Sequence, residues 1–107
     1  MIVAKKKDSL EIIKELTNEI LPDSTFFLFG SRANGNFLPE SDYDFMIVTK
    51  KFLNVTEKRS YKALLRKKLA QNRIPADILI EDEKEFQVKK NIIGHIVREV
   101  DRYGRII

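Results

Sequence analysis

Cysteine is absent from this 107-residue chain, and histidine occurs once, as His95. Without cysteine there is no disulfide framework and no thiolate zinc site, which suits a reducing compartment. A lone histidine is read as a surface or satisfied core residue rather than as a ligand or base. Glycine numbers four and proline three, and no Gly-Lys-Ser/Thr run is present, so a P-loop is excluded. No apolar run approaches the roughly 20 residues that a membrane-crossing helix needs. The start, Met1-Ile2-Val3-Ala4-Lys5-Lys6-Lys7-Asp8, turns charged at once and lacks the apolar segment of a signal peptide. A cytoplasmic location is expected. Internal repeats, low-complexity tracts and linkers are missing too, and the length suits a single domain over residues 1–107 with one modest core.

What is present is ordinary in amount and uneven in charge. Hydrophobic residues make up 43% and charged residues 34%, as in a typical globular protein. The formal charge is +4 and the pI about 9.4, which favours anionic partners. Both nucleic acid and a nucleoside triphosphate qualify. Duplex binding calls for a groove-reading element or an extended basic surface, and the sequence carries no recognisable DNA-binding motif. A small nucleotide is the better fit, and nucleic acid is not expected as a direct substrate.

Asp8 with Glu11 has the spacing of a capping box. Leu10, Ile13, Leu16, Thr17 and Ile20 then recur at helical spacing, predicting a helix over 9–20 that Pro22 halts. Lys5-Lys6-Lys7 ahead of it reads as a solvated leader. Thr25 to Phe29 is predicted as a strand. Asn54 with Glu57 caps a second long helix over 55–71, with a core stripe of Tyr61, Leu64, Leu65 and Leu69. Its remaining surface, including Lys58, Arg59, Lys62, Arg66, Lys67 and Lys68, is strongly basic and reads as a solvated face. Ala76 to Ile80 is a further strand. Asp82 is the expected N-cap of the next helix, with Glu85 at its third position. From about Lys84 the chain reads as helical, with breaks near Asn91 and Gly94 and a stripe of Ile92, Ile93, Ile96, Val97 and Val100. Gly104 is a stop, and residues 105–107 are a candidate short strand.

The most informative stretch is Phe26 to Val48. An apolar run ends at Gly30-Ser31, a polar turn follows, and Asp42 and Asp44 stand directly before a second apolar run, Phe45 to Val48. In a strand over 42–49 the two aspartates project from one face, with Tyr43 and Phe45 opposite them. Two like charges so placed repel, and an apolar neighbourhood adds to the penalty. A cation between them relieves it, and paired carboxylates completed by water and phosphate oxygens suit Mg²⁺. The bland reading, a solvated turn with local capping bonds, sits poorly with two acids abutting an apolar strand. A short helical turn from Ser31 to Asn34 would leave backbone N–H groups free for an anion. Gly30 would let a phosphate approach without a Cβ in the way, and Ser31 would add a hydroxyl donor. Taken alone, Gly30-Ser31 merely ends a strand. Arg32 either reaches a phosphate or ion-pairs with Glu40 or Asp42. Asn34-Gly35-Asn36 and Pro39 are turn formers.

Gly30-Ser31, ten residues, then Asp42-x-Asp44 resembles the signature of the DNA polymerase β-like nucleotidyltransferase superfamily. Gly-Ser-Arg-Ala-Asn-Gly followed by Ser-Asp-Tyr-Asp is most similar to its minimal nucleotidyltransferase (MNT) members. The resemblance spans most of the chain. It implies an α/β (α+β) fold in which a small mixed sheet carries helices mainly on one face. It also implies a third carboxylate on a neighbouring strand, and Asp77 in Ile74-Pro75-Ala76-Asp77-Ile78-Leu79-Ile80 matches. By that resemblance Asp42, Asp44 and Asp77 hold two Mg²⁺ ions about 3.5–4 Å apart, and Gly30, Ser31 and Arg32 hold the phosphate tail. The implied reaction moves a nucleotide, AMP from ATP, to a hydroxyl acceptor. MNT proteins resemble one half of a toxin–antitoxin pair whose other half is a HEPN-type toxin, so the implied acceptor is that partner protein. Two alternatives stand beside this reading: an antitoxin that masks its partner by binding without catalysis, and a nucleotidyltransferase acting on a small molecule.

Overall fold

The computed structural model describes residues 8–107; the reading of Lys5-Lys6-Lys7 as a leader lies outside the described residues. Helix α1 (Ser9–Ile20) begins where the Asp8 carboxylate accepts the Glu11 N–H at 2.9 Å, satisfying one of the donors a helix start leaves open. It ends where Leu21 donates to the Thr17 carbonyl, just before Pro22. Strand β1 (Thr25–Phe29), a single turn of helix α2 (Ser31–Asn34), and strand β2 (Tyr43–Thr49) follow. Helix α3 (Val55–Gln71) opens on a full capping box between Asn54 and Glu57. Then come β3 (Ala76–Asp82), α4 (Glu83–Lys89), α5 (Ile96–Tyr103) and the two-residue β4 (Arg105–Ile106).

The four strands form one mixed sheet in the order β3-β2-β1-β4. β1 pairs antiparallel with both β2 and β4, whereas β2 and β3 run parallel. A parallel pair needs a long crossover, and α3 supplies it. Alternation along the strands sorts the side chains into two layers. Phe26, Leu28, Phe45, Ile47, Ile78 and Ile80 face the long helices, meeting Ile13 of α1 and Leu65 and Leu69 of α3. Phe26 and Phe45 anchor this layer, their ring centroids 5.0 Å apart. Met46 and Val48 face the opposite way, onto Phe86 of α4 and Val97 and Val100 of α5, with Phe27, Phe29 and Leu79 packed around them. The two long helices thus share one face, as expected, and the short α4 and α5 cover part of the other. Among the described residues no helix is long and apolar enough to cross a membrane.

Two predicted apolar stripes are narrower than the spacing suggested. Leu64 is 42% exposed, because α3 buries the i, i+4 row Tyr61–Leu65–Leu69 and Leu64 lies off that row. Ile92 and Ile93 fall in the turns between α4 and α5, and Ile93 is 87% exposed. The buried pair of α5 is Val97 and Val100 alone. His95 is the N-cap of α5, its Nδ1 accepting the Val97 N–H. Gly104 ends α5 for a packing reason: a Cβ there would collide with the Val100 carbonyl oxygen.

Candidate active site

Strand register builds the site. Antiparallel pairing sets Phe29 opposite Asp44, and parallel pairing sets Asp77 opposite Asp44 from the other side. Phe29, Asp44 and Asp77 therefore form one row across three strands, on the face that α4 and α5 cover only in part. Asp42 lies one residue before the start of β2 and is exposed; the expected strand over 42–49 is one residue shorter. Tyr43 points the other way and packs against the long-helix layer.

The electrostatics centre on Asp44. Partial burial pushes its carboxyl up, and the nearby Asp77 and then Asp42 carboxylates push it further in the same direction. Among the described residues no lysine or arginine forms an ion pair with these three acids, whereas lysines answer other acids elsewhere in the fold. Gly30 adjoins them. It holds φ 71° and ψ −155°, a backbone region open essentially only to glycine. A Cβ at this position would overlap Asp44 Oδ2 and lie 3.2 Å from Asp44 Cβ and Cγ. The turn after β1 thus presses bare backbone against the central carboxylate. Ser31 starts α2 directly behind it, and the Ala33 and Asn34 N–H groups close onto the Gly30 carbonyl at 3.1 and 3.3 Å.

Arg32 does not form the expected ion pair with Glu40 or Asp42. Its Nε and one terminal nitrogen donate to the Ser41 carbonyl at 3.3 and 3.0 Å, and the same nitrogen donates to Pro39 at 3.0 Å. The guanidinium lies 4.3 Å from the Tyr43 ring centroid and 4.4 Å from that of Phe37. Its partners are carbonyls and aromatic faces, not Glu40 or Asp42, and it clamps the loop that delivers Asp42. The reason is local: a five-donor fork suits converging carbonyls, and the turn at Gly35 (φ 83°) brings the loop back over α2.

The donor chemistry fits a hard divalent cation. Burial raises the Asp44 carboxyl, and the neighbouring Asp77 and Asp42 carboxylates raise it further. Among the described residues no three His, Cys, Asp or Glu side chains close into a cage around one point. That openness is what Mg²⁺ tolerates, since it is usually held by one or two carboxylates together with water and substrate phosphates. Asp44 and Asp77 are the pair that would hold it, with Asp42 beside them.

A cleft of about 330 Å³ opens beside Gly30, between α2 and α5. From α5 it receives Ile96, Glu99 and Tyr103. Sequence reasoning placed nothing from α5 near the site. The available signal was the 3-and-4 spacing of these residues, a second stripe beside the buried Val97 and Val100.

Comparison with known proteins agrees with this geometry. A curated protein of Methanocaldococcus jannaschii, provisionally named a protein adenylyltransferase, is 31% identical over 99 residues, covering 92% of this chain and 87% of its own. A crystal structure described as a nucleotidyltransferase superposes with a TM-score of 0.64 at 26% identity, covering 92% of this chain and 96% of its own. A toxin–antitoxin structure with AMP-PNP shares the fold, with a TM-score of 0.56 at 17% identity over 94% of this chain and 72% of that one. The model of the nucleotidyltransferase domain family matches residues 9–99, a span that takes in the Gly30 turn and all three aspartates, and the chain belongs to that family.

Proposed function

We propose that this chain transfers a nucleotide, AMP from ATP, to a hydroxyl group on a partner protein, and that it does so as an antitoxin acting on a toxin. The observation that carries the reading is the row in which Asp44 lies between Asp77 and the bare backbone of Gly30. Carboxylates and a free backbone turn, side by side, suit a metal-bound polyphosphate. The Methanocaldococcus relative's name points to a protein acceptor, and a toxin–antitoxin structure that shares this fold is described with AMP-PNP.

In this reading the Gly30-Ser31 turn receives the phosphate tail, through backbone N–H groups that the first turn of α2 leaves open and through the Ser31 hydroxyl. Asp44 and Asp77, with Asp42 beside them, would hold a divalent cation that orients the α-phosphate end. Bound there, Mg²⁺ would neutralise phosphate charge and favour ionisation of the acceptor oxygen. Asp77 accepts the proton of the acceptor hydroxyl. The acceptor oxygen forms a bond to the α-phosphorus while the α–β phosphoanhydride bond breaks, and pyrophosphate leaves. Arg32 is a positioning residue, holding the loop that carries Asp42. Most of the rate enhancement comes from orientation and from charge placed in advance.

The test incubates the protein with ATP labelled at the α-phosphate, Mg²⁺ and lysate of the source cells, alongside Asp42→Asn. A labelled protein band with the wild type, reduced at least about 10²-fold in the variant, is the expected result and identifies the acceptor for mass spectrometry. Label on a small molecule instead would move the acceptor class. No label anywhere, with the partner present and still neutralised, would replace catalysis by masking.

A further inference from the structure

We infer that the cleft between α4 and the loop joining β2 to α3 docks the protein whose hydroxyl this chain modifies, seating an acidic segment of it by a large apolar side chain. The inference rests on the proposed protein acceptor, and the test below separates the two. The cleft holds about 440 Å³, within the ~300–1,000 Å³ of binding pockets, and no step of the proposed reaction uses it. Its walls include Phe52 from the loop and Val88 from α4. Phe52 is 66% exposed and Val88 is 63% exposed, whereas Leu53, next to Phe52, is buried. The fold thus leaves two large apolar groups uncovered around one recess. Such a recess is where an interface seats an anchoring side chain.

Polar groups set the occupant's chemistry. Asp82, buried to all but 2%, lines the cleft. One of its carboxylate oxygens accepts the Glu85 N–H at 2.9 Å. The other is buried and, among the described residues, accepts no hydrogen bond. A backbone N–H from a docked segment would satisfy it. The charges of Glu85 and Lys89 at the wall are already answered by each other and by Lys58 and Glu81. Lys84 is exposed at the rim and forms no ion pair among the described residues, and the same holds for Lys50 and Lys51, just before Phe52. Glu83, the acid beside Lys84, lines a separate recess with Phe86. The unanswered charge around Phe52 and Val88 is therefore positive. It selects carboxylates flanking the apolar anchor and rejects a lysine-rich segment.

Position ties this cleft to the three aspartates. β3 stands at the edge of the sheet, so among the described residues no strand lies along its outer side. Asp77 and Glu81 project from one face of β3, ~13 Å apart at ~3.3 Å per residue. Lys89, which holds Glu81 at 3.0 Å, lines the cleft. A partner making a standard contact of ~800 Å², roughly 30 Å across, covers both places at once. Once it is docked, its hydroxyl approaches Asp77 as an intramolecular group would. The cleft therefore governs how much acceptor is needed, not the rate after the acceptor is bound.

Two assays on the full chain test this. The first pans a random peptide library displayed on phage against the wild type, with Phe52→Ser/Val88→Ser as counter-selection. The expected clones carry a large apolar residue flanked by Asp or Glu, and they bind Lys84→Glu weakly. The second titrates lysate of the source cells into the α-phosphate labelling reaction. Phe52→Ser/Val88→Ser and Lys84→Glu should each raise the lysate concentration for half-maximal labelling about fivefold or more. The plateau rate and the melting temperature should match the wild type, because all three side chains are exposed. Asp42→Asn should lower the plateau instead. Labelling by the wild type with unchanged half-saturation in these variants overturns the docking role and leaves the proposed function standing. Clones that are basic, indifferent to Phe52 and Val88, or absent overturn it as well. A wild-type dimer in sedimentation that dissociates in the double variant would assign the cleft to a second copy. If the wild type labels no protein, the proposed function fails and the docking role fails with it.

Discussion

Two groups of carboxylates stand on one face of β3, four residues apart, and their surroundings differ in kind. At the far end, Glu81 and Glu85 meet Lys58 from α3 and Lys89 from α4. Lys58 lies 2.8 Å from Glu85 and 3.5 Å from Glu81, and Lys89 lies 3.0 Å from Glu81 and 3.2 Å from Glu85. At the near end, Asp44 stands opposite Asp77 and near Asp42, with the Gly30 backbone against it. In the first group every charge has a partner. The Glu85 carboxyl is held down to about 2, chiefly by its hydrogen bond with Glu81 and then by Lys58. Burial pushes Glu81 up, as does sharing a hydrogen bond with Glu85, against the pull of two ammonium groups. Both lysines are held above their ordinary range by these carboxylates, against the opposing effect of burial. In the second group Asp44 is pushed up, by burial first and then by Asp77 and Asp42. Acids with lysine partners tie α3, β3 and α4 together; the near acids would, in the proposed reading, receive a cation and a polyphosphate.

Breaking the near group at its backbone should give the largest effect. Gly30→Ala combines a glycine-only conformation with a Cβ that overlaps Asp44 Oδ2, and should destabilise the fold by roughly 1–3 kcal/mol while abolishing acceptor labelling. The double variant Gly30→Ala/Asp44→Ala isolates the collision. Chemical denaturation should show a smaller loss for the glycine change in the Asp44→Ala background than in the wild type. Equal losses would mean that backbone strain alone makes Gly30 necessary.

The far group should respond in the opposite sense. Lys89→Met leaves Glu81 and Glu85 with Lys58 alone. Its ammonium is partly solvated, so the expected loss is about 1 kcal/mol, read from the denaturation midpoint. Labelling of the acceptor should match the wild type at temperatures where both are folded. A loss of labelling as large as that of Asp42→Asn would erase the distinction between the two groups.

Much of this was legible in the sequence, because short-range rules govern it. Asn54 with Glu57 and Asp82 with Glu85 cap their helices as the spacing predicts. The aspartates flank their strands within one residue of the expected ends. The adjacency of Asp44 and Asp77 depends on a parallel register across a crossover of more than twenty residues, and the residues alone do not specify that register. Resemblance pointed to Asp77, and the register puts it opposite Asp44. The contacts of Arg32 were not legible because its carbonyl partners belong to loop backbone, which has no sequence signature. The α5 side of the cleft beside Gly30 was invisible for a related reason: Ile96 reads as part of the apolar stripe, and Glu99 and Tyr103 as the outer face of an amphipathic helix, until the neighbouring turn is in place.

The smallest expected effect is also the sharpest, because it reads the near group without any substrate. The Asp44 carboxyl titrates above its ordinary value of 3.8 in the folded chain. Between that value and its folded pKa the folded state binds more protons than the unfolded state. Stability therefore falls as pH rises through this window, and the full penalty remains at neutral pH. Asp44→Asn removes the charge and keeps the shape. With chelator present, the variant should melt slightly higher than the wild type at pH 7, and the difference should shrink as pH drops below the ordinary carboxylate range. Adding Mg²⁺ should then raise the melting temperature of the wild type, because a ligand that binds only the folded state stabilises it, and should do little for the variant. The far group carries its own cations and should be indifferent to the metal, so Lys89→Met should keep the full Mg²⁺ response. If Asp44→Asn melts lower than the wild type at neutral pH without metal, Asp44 is a stabilising residue like Glu85, whose carboxyl is held down, and the two groups do the same work.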